Sequence, residues 1–125
     1  MGPLTGNSET INYAVGCVLF GDNEFESGAI TLAASGSIAE GALLKRLDSG
    51  KFAPLTTPAT ETPVAVYIGE TITNSTASSA DYEIRACISG RVDAAKCFYG
   101  SNTALTVALK DALRATSIIP LDSKD

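Results

Sequence analysis

Few residues in this chain are of a type that does chemistry. Its 125 residues include no His, which removes the commonest general base and the commonest transition-metal ligand. Ser89 stands in Ile88-Ser89-Gly90 rather than in a G-x-S-x-G elbow, and a nucleophile needs a base beside it. Cys17, Cys87 and Cys97 are odd in number and lack C-x-x-C spacing. They read as small buried thiols of a reducing compartment rather than as a disulfide framework. Asp22, Glu24 and Glu26 lack the D-x-[DN]-x-[DN]-G pattern and the closing Glu of a calcium loop, and read as a solvated acidic loop. Glu83 and Asp93 are two carboxylates of the kind used in glycoside hydrolysis, but no apolar pocket to raise one pKa is visible in the sequence. Gly100-Ser101-Asn102-Thr103 precedes a helical pattern without a G-x-x-x-x-G-K-[ST] signature, so it reads as a capping turn rather than a phosphate cradle. The residue types point to no catalytic, cofactor or metal site.

The stretch that would position such groups runs from Tyr82 to Pro120. Tyr82, Ile84, Ala86 and Ile88 alternate with Glu83, Arg85, Cys87 and Ser89, the period of a half-buried strand. Gly90 predicts a tight turn, and Val92 to Phe98 a returning strand. Asp81, Glu83, Arg85, Arg91 and Asp93 then form the solvated or subunit-facing side of this hairpin. Asn102 or Thr103 caps a helix over about 104–115 that carries Leu105, Leu109 and Leu113 on one face. Ile118, Ile119 and Leu121 close the fold around Pro120.

Upstream, Phe25 to Ala33 predicts a strand with a bend at Gly28. Residues 38–47 and Lys51 to Leu55 predict a β-hairpin across Asp48-Ser49-Gly50, with Pro54 at an edge or strand end. Residues 56–63 (TTPATETP) read as a plain surface loop. Pro63 to Gly69 predicts a central strand covered on both faces, and residues 71–80 a mobile polar loop. Residues 1–13 carry only Leu4 and Ile11 as apolar anchors. They read either as a frayed terminus or tag remnant, or as an arm that orders on a partner by adding a strand.

Length favours one domain. The formal charge of -5 lies in residues 1–44, which hold Glu9, Asp22, Glu24, Glu26 and Glu40 and no Lys or Arg. An acidic chain without a basic stripe argues against nucleic acid and against anionic membranes as partners. No apolar run approaches the roughly 20 residues that span a bilayer, and Met1-Gly2-Pro3-Leu4 lacks the regions of a signal peptide.

In series, five pieces carry a resemblance. They are Gly41-Ala42-Leu43-Leu44-Lys45, Ser49-Gly50-Lys51-Phe52-Ala53-Pro54, Pro63-Val64-Ala65-Val66, Cys87-Ile88-Ser89-Gly90-Arg91-Val92-Asp93, and Leu109-Lys110-Asp111-Ala112-Leu113-Arg114 followed by Ile118-Ile119-Pro120. Over about 28–121 the chain resembles the head decoration proteins of tailed bacteriophages of the phage-lambda type. The resemblance implies a mainly β fold of the β-clip type, with small mixed sheets, one or two short helices and a single core domain over 14–125. It implies a homotrimer at local three-fold positions of the expanded shell, bound to the major capsid protein and stabilising it against internal DNA pressure. Such a protein has no enzymatic activity and needs no cofactor. It sits on the virion exterior, and in the host cytoplasm during assembly. The N-terminal arm, residues 1–13, would order on the capsid through Leu4, Thr5, Ile11 and Tyr13. The apolar run Ala14 to Phe20 (AVGCVLF) is an extra element that belongs either to the arm or to the core.

Two other classes stay open. A carbohydrate- or host-surface-binding module needs an exposed aromatic platform drawn from Tyr13, Phe25, Tyr67, Tyr82, Phe98 and Tyr99. A β-clip enzyme with a site at the trimer interface needs Ser89, Arg91 and Asp93 to converge.

Overall fold

The structure is a computed structural model and describes residues 23–100 and 102–121. Ten strands, one α-helix and one turn of 3-10 helix follow in order. The strands are β1 (Glu24–Leu32), β2 (Ser37–Ile38), β3 (Leu43–Arg46), β4 (Phe52–Pro54), β5 (Ala65–Ile68), β6 (Ile72–Thr73) and β7 (Ala80–Asp93). After the 3-10 turn Ala94–Lys96 come β8 (Phe98–Tyr99), β9 (Thr103–Ala104), helix α1 (Val107–Ala115) and β10 (Ile118–Leu121). The chain is thus mainly β, a single domain of small mixed sheets with one helix, as the sequence predicts.

Five strands close on themselves in the order β1-β4-β3-β5-β7, with β7 returning to β1. Closure leaves no open ladder within the ring, the usual remedy for exposed strand edges. The longest seam joins β1 and β7 antiparallel, from Glu24 opposite Ser89 to Leu32 opposite Ala80. The predicted hairpin is β3–β4, with Arg46 opposite Phe52 and its loop closed by Gly50 N–H to Leu47 O at 2.8 Å. Pro54 ends β4.

Alternation along the central strands builds two cores, one on each face. Leu44, Ala65 and Ala86 face the barrel interior with Ile30, Leu32, Phe52 and Tyr67. Their neighbours Leu43, Val66 and Cys87 face outward into a second core with Leu55, Val92, Leu109, Leu113 and Ile118. The period of two makes this unavoidable once helix α1 covers the outer face. β5 is therefore buried on both sides between β3 and β7, as its continuous apolar run predicts. Gly28 is not a bend. A Cβ there would lie 3.3 Å from the Phe52 ring, so the missing side chain makes room for the aromatic that fills the barrel.

Four local expectations are corrected. Gly90 does not turn the chain: β7 is continuous to Asp93, and at Gly90 it leaves β1 and takes up β10 as parallel neighbour. Helix α1 is capped by Thr106, whose Oγ1 accepts from Leu109 N–H at 3.2 Å, because Thr103–Ala104 is used as β9 in a small hairpin with β8. Glu24 and Glu26 lie on β1 rather than in a loop, with Glu26 paired to Arg46 at 3.3 Å. The 71–80 segment is not a plain polar loop: it contains β6, paired with β2, and the fully buried Asn74.

Candidate functional site

The arm residues Leu4, Thr5, Ile11 and Tyr13, like the run 14–20, lie outside the described residues. The other candidates are placed. Ser89, Arg91 and Asp93 follow one another along the second half of β7. Asp93 is buried and occupied: its Oδ1 accepts from Ala95 N–H at 3.1 Å and caps the 3-10 turn, so it is not part of a solvated face. Arg91 is exposed. The aromatics are divided rather than gathered. Tyr67, Tyr82 and Phe98 pack with the barrel core, and Tyr99 packs with the outer one. Phe25 is exposed beneath the Arg85 guanidinium, 4.6 Å from the ring centroid. Cys87 and Cys97 are buried thiols of the outer core. No group of three or more His, Cys, Asp or Glu among the described residues is arranged to hold a metal ion.

Charged groups are mostly tied into the fold. Asp81 accepts from Lys51 at 2.5 Å and from Thr31 at 2.7 Å, and these two hydrogen bonds hold its carboxyl below the ordinary range. The Tyr67 hydroxyl donates to Glu70 O at 2.5 Å, and burial, with Glu40 and Glu70 nearby, raises its pKa.

Glu61 is the clearest polar knot, and sequence reading missed it. One carboxylate oxygen accepts from Thr56 N–H and Thr57 N–H at 2.9 Å each, and the other from Lys45 Nζ at 2.6 Å. Residues 56–63 are thus a pinned loop rather than a plain one. The loop and α1 frame a shallow cleft of about 340 Å³ lined by Pro58, Ala59, Pro63, Ala108, Leu109 and Ala112 among others. Burial works against the charge on Glu61, but the Lys45 hydrogen bond and the two backbone donors overcome it and bring the carboxyl from 4.5 to about 2. A carboxyl lower in the folded chain than in the unfolded one stabilises above the unfolded pKa, and the benefit fades as pH falls through the folded one. One unit corresponds to about 1.4 kcal/mol. With the side chain 18 % exposed and partly screened, Glu61→Gln is expected to cost about 2 kcal/mol at pH 7. Urea unfolding of both proteins at pH 7 and pH 3 checks this: the gap must narrow at the lower pH, and a constant gap would contradict the assignment.

The remaining feature is apolar. Ile119 and Leu121 on β10 are 42 % and 40 % exposed, while Ile118 and Pro120, which alternate with them, are buried. β10 has β7 as its one strand neighbour among the described residues. Pro120 has no N–H to offer, which discourages a further strand at that edge. The surface is therefore a small apolar sheet face at the end of the barrel, beside Arg91, which stands opposite Ile119. Val107, at the start of α1, is a further exposed apolar side chain, 74 % accessible.

Among the described residues, Lys45, Glu61, Asp81 and Asp93 are engaged in holding the fold, and Phe25, Val107, Ile119 and Leu121 are the large apolar side chains left exposed. Compared with family models, curated proteins and solved structures, the chain gives no match in any of the three.

Proposed function

We propose that this chain is a structural protein of a virion, which binds the outside of an expanded tailed-phage capsid as a trimer and stabilises it against internal DNA pressure. The observation that carries the reading is the division of labour in the structure. Lys45, Glu61, Asp81 and Asp93 are engaged in holding the fold, and among the exposed side chains, most of them polar, stand the apolar Ile119 and Leu121 on β10 and Val107 at the start of α1. That is the character of a module that works by contact. The resemblance supplies the class. Its pieces fall on β3, the β3–β4 hairpin, β5, the second half of β7, α1 and β10, and all but the hairpin turn and β4 contribute side chains to the outer core.

In this reading the major capsid protein at local three-fold positions is the partner, and the chain catalyses nothing. Each contact can be weak because a trimer presents three at once. Leu4, Thr5, Ile11 and Tyr13 are the contacts of the arm. Leu4→Asp with Ile11→Asp in the full chain is expected to abolish protection of expanded shells against heat while leaving the trimer mass by light scattering unchanged. Equal protection by the variant would remove the arm from the account.

The acidic excess near the N-terminus assigns a basic or mixed patch to the shell. Glu26 is held by Arg46, so Glu9, Asp22 and Glu24 are the groups to neutralise. Their amide variants are expected to bind shells several-fold more weakly at low salt and equally at high salt, where screening lengths fall to a few ångströms. A salt-independent difference in pelleting assays would argue against electrostatic docking.

A further inference from the structure

The seams of the barrel are unequally held. β1 is paired with β7 along its whole length, and β4 with β3 from Phe52 to Pro54. Between β1 and β4 a single parallel register pair, Ile30 opposite Phe52, joins the strands. Side chains supply the rest. Glu26 on β1 pairs with Arg46 on β3 at 3.3 Å, and Asp81 on β7 pairs with Lys51, just before β4, at 2.5 Å. Asp81 also accepts from Thr31 Oγ1 of β1 at 2.7 Å. Both ion pairs therefore cross the same line, with the carboxylates on the β1–β7 side and the bases on the β3–β4 side. The Phe52 ring lies beneath, against Gly28 of β1 and under the Arg46 guanidinium, 4.5 Å from the ring centroid.

We propose that the β1–β4 seam is the line along which the barrel opens, and that Glu26–Arg46 and Asp81–Lys51 form a salt-sensitive latch across it. Parting there leaves one open sheet, β4-β3-β5-β7-β1, with every other strand pairing of the ring kept. The outer core is untouched, since Leu43, Val66 and Cys87 on β3, β5 and β7 stay packed with Leu109, Leu113 and Ile118. Water reaches the barrel core around Ile30 and Phe52, both buried when the ring is closed. That exposure keeps the open form rare, yet cheaper than unfolding the whole domain. The four charged side chains are 38–44 % exposed, so added salt reaches them, and at 1 M the screening length is about 3 Å. Opening frees the edges of β1 and β4, which the closed ring keeps from pairing with other chains. The inference does not depend on capsid binding.

Phe52 N–H is the reporter. Lys51 O accepts from Leu47 N–H on the β3 side at 2.8 Å, so the next residue turns its N–H toward β1. Tyr67 N–H, bonded to Ala42 O across the β3–β5 seam at 2.9 Å, is the reference in the same sample. Native-state hydrogen exchange of the full chain is followed at both amides by NMR, at low salt and in concentrated sodium chloride, as protection relative to the unfolded rate. Phe52 N–H is expected to exchange about ten-fold faster than Tyr67 N–H or more at low salt. High salt should widen that ratio about five-fold, the size expected of two surface ion pairs. Glu26→Gln with Asp81→Asn should show the wider ratio already at low salt and no further response to salt, whereas a general loss of stability would speed both amides alike. Equal protection of the two amides in the parent would overturn the opening line, and a salt response that survives in the double variant would overturn the latch.

Discussion

Asn74→Ala is expected to cost about 3 kcal/mol or more, among the largest effects of any side-chain truncation outside the two cores. The Asn74 amide donates to Leu32 O, Ala33 O and Ser78 O at 3.0–3.1 Å, and its oxygen accepts from Thr76 N–H and Thr76 Oγ1 at 3.0 and 2.6 Å. The side chain is fully buried, so no water replaces these bonds without opening the loop. One residue thereby ties the end of β1 to the segment that leads into β7, the two strands of the longest seam. The loss is a large fraction of the roughly 5–15 kcal/mol that holds a domain together, and the melting temperature should drop by about 10 °C. Hydrogen exchange at residues 74–78 should rise to loop-like rates. Asn74→Asp sharpens the test. It keeps the acceptor for Thr76 but sets a carboxylate against carbonyl oxygens, so it should be worse than Ala at pH 7 and recover as pH falls and the acid protonates. If both variants unfold within 1 kcal/mol of the parent, the buried network is wrong.

Gly41→Ala is expected to be as damaging for a different reason. Gly41 has φ +98°, and a Cβ would stand 2.1 Å from the backbone oxygen of Lys96. Backbone cannot step aside here. Gly41 N–H donates to Tyr67 O at 3.0 Å and its own carbonyl accepts from Phe98 N–H at 3.1 Å, so relief in either direction breaks a ladder contact. The cost should be about 3 kcal/mol or more, or failure to fold. Gly50→Ala is the control for conformation alone. Its φ is +92°, but nothing lies within 4 Å of the added carbon, and about 1 kcal/mol is expected. Urea denaturation of the two variants side by side separates steric clash from strain. Equal costs would mean that the chain before β3 does not pass against Lys96 as described.

These residues also show how much could be read without coordinates. The continuous apolar run from Pro63 to Gly69 and the Gly-containing turn at Asp48-Ser49-Gly50 are local signals, and they emerge as β5 and the β3–β4 hairpin. Barrel closure depends on β1 meeting β7 across some fifty intervening residues, and no local pattern specifies that pairing. Gly90 reads as a breaker because the exchange of β1 for β10 along one strand is a tertiary event. Asn102 and Thr103 read as the caps, and Thr106 takes that role instead, because the β8–β9 hairpin that claims Thr103 is invisible in propensity. Asn74 and Glu61 look like ordinary loop polars, and only burial and the direction of nearby backbone groups mark them out. For the candidate site, Leu109 and Leu113 of the leucine stripe form the inner face of α1, while Leu105 precedes the helix and packs against the same core only in part. The exposure of Ile119 and Leu121 was not legible, because an Ile-Ile-Pro-Leu strand reads as core on both faces.

The proposed function is that of a non-catalytic β scaffold that works by assembling in threes on a shell. Its most direct test is pelleting of the full chain with expanded, DNA-free shells of lambda-type phages stripped of their own decoration protein, with the bound copies counted per shell. Saturable binding in multiples of three, by a species whose mass in solution is that of a trimer, is the predicted result. A chain that sediments with none of these shells at any salt concentration, and whose mass is that of one subunit, would contradict it.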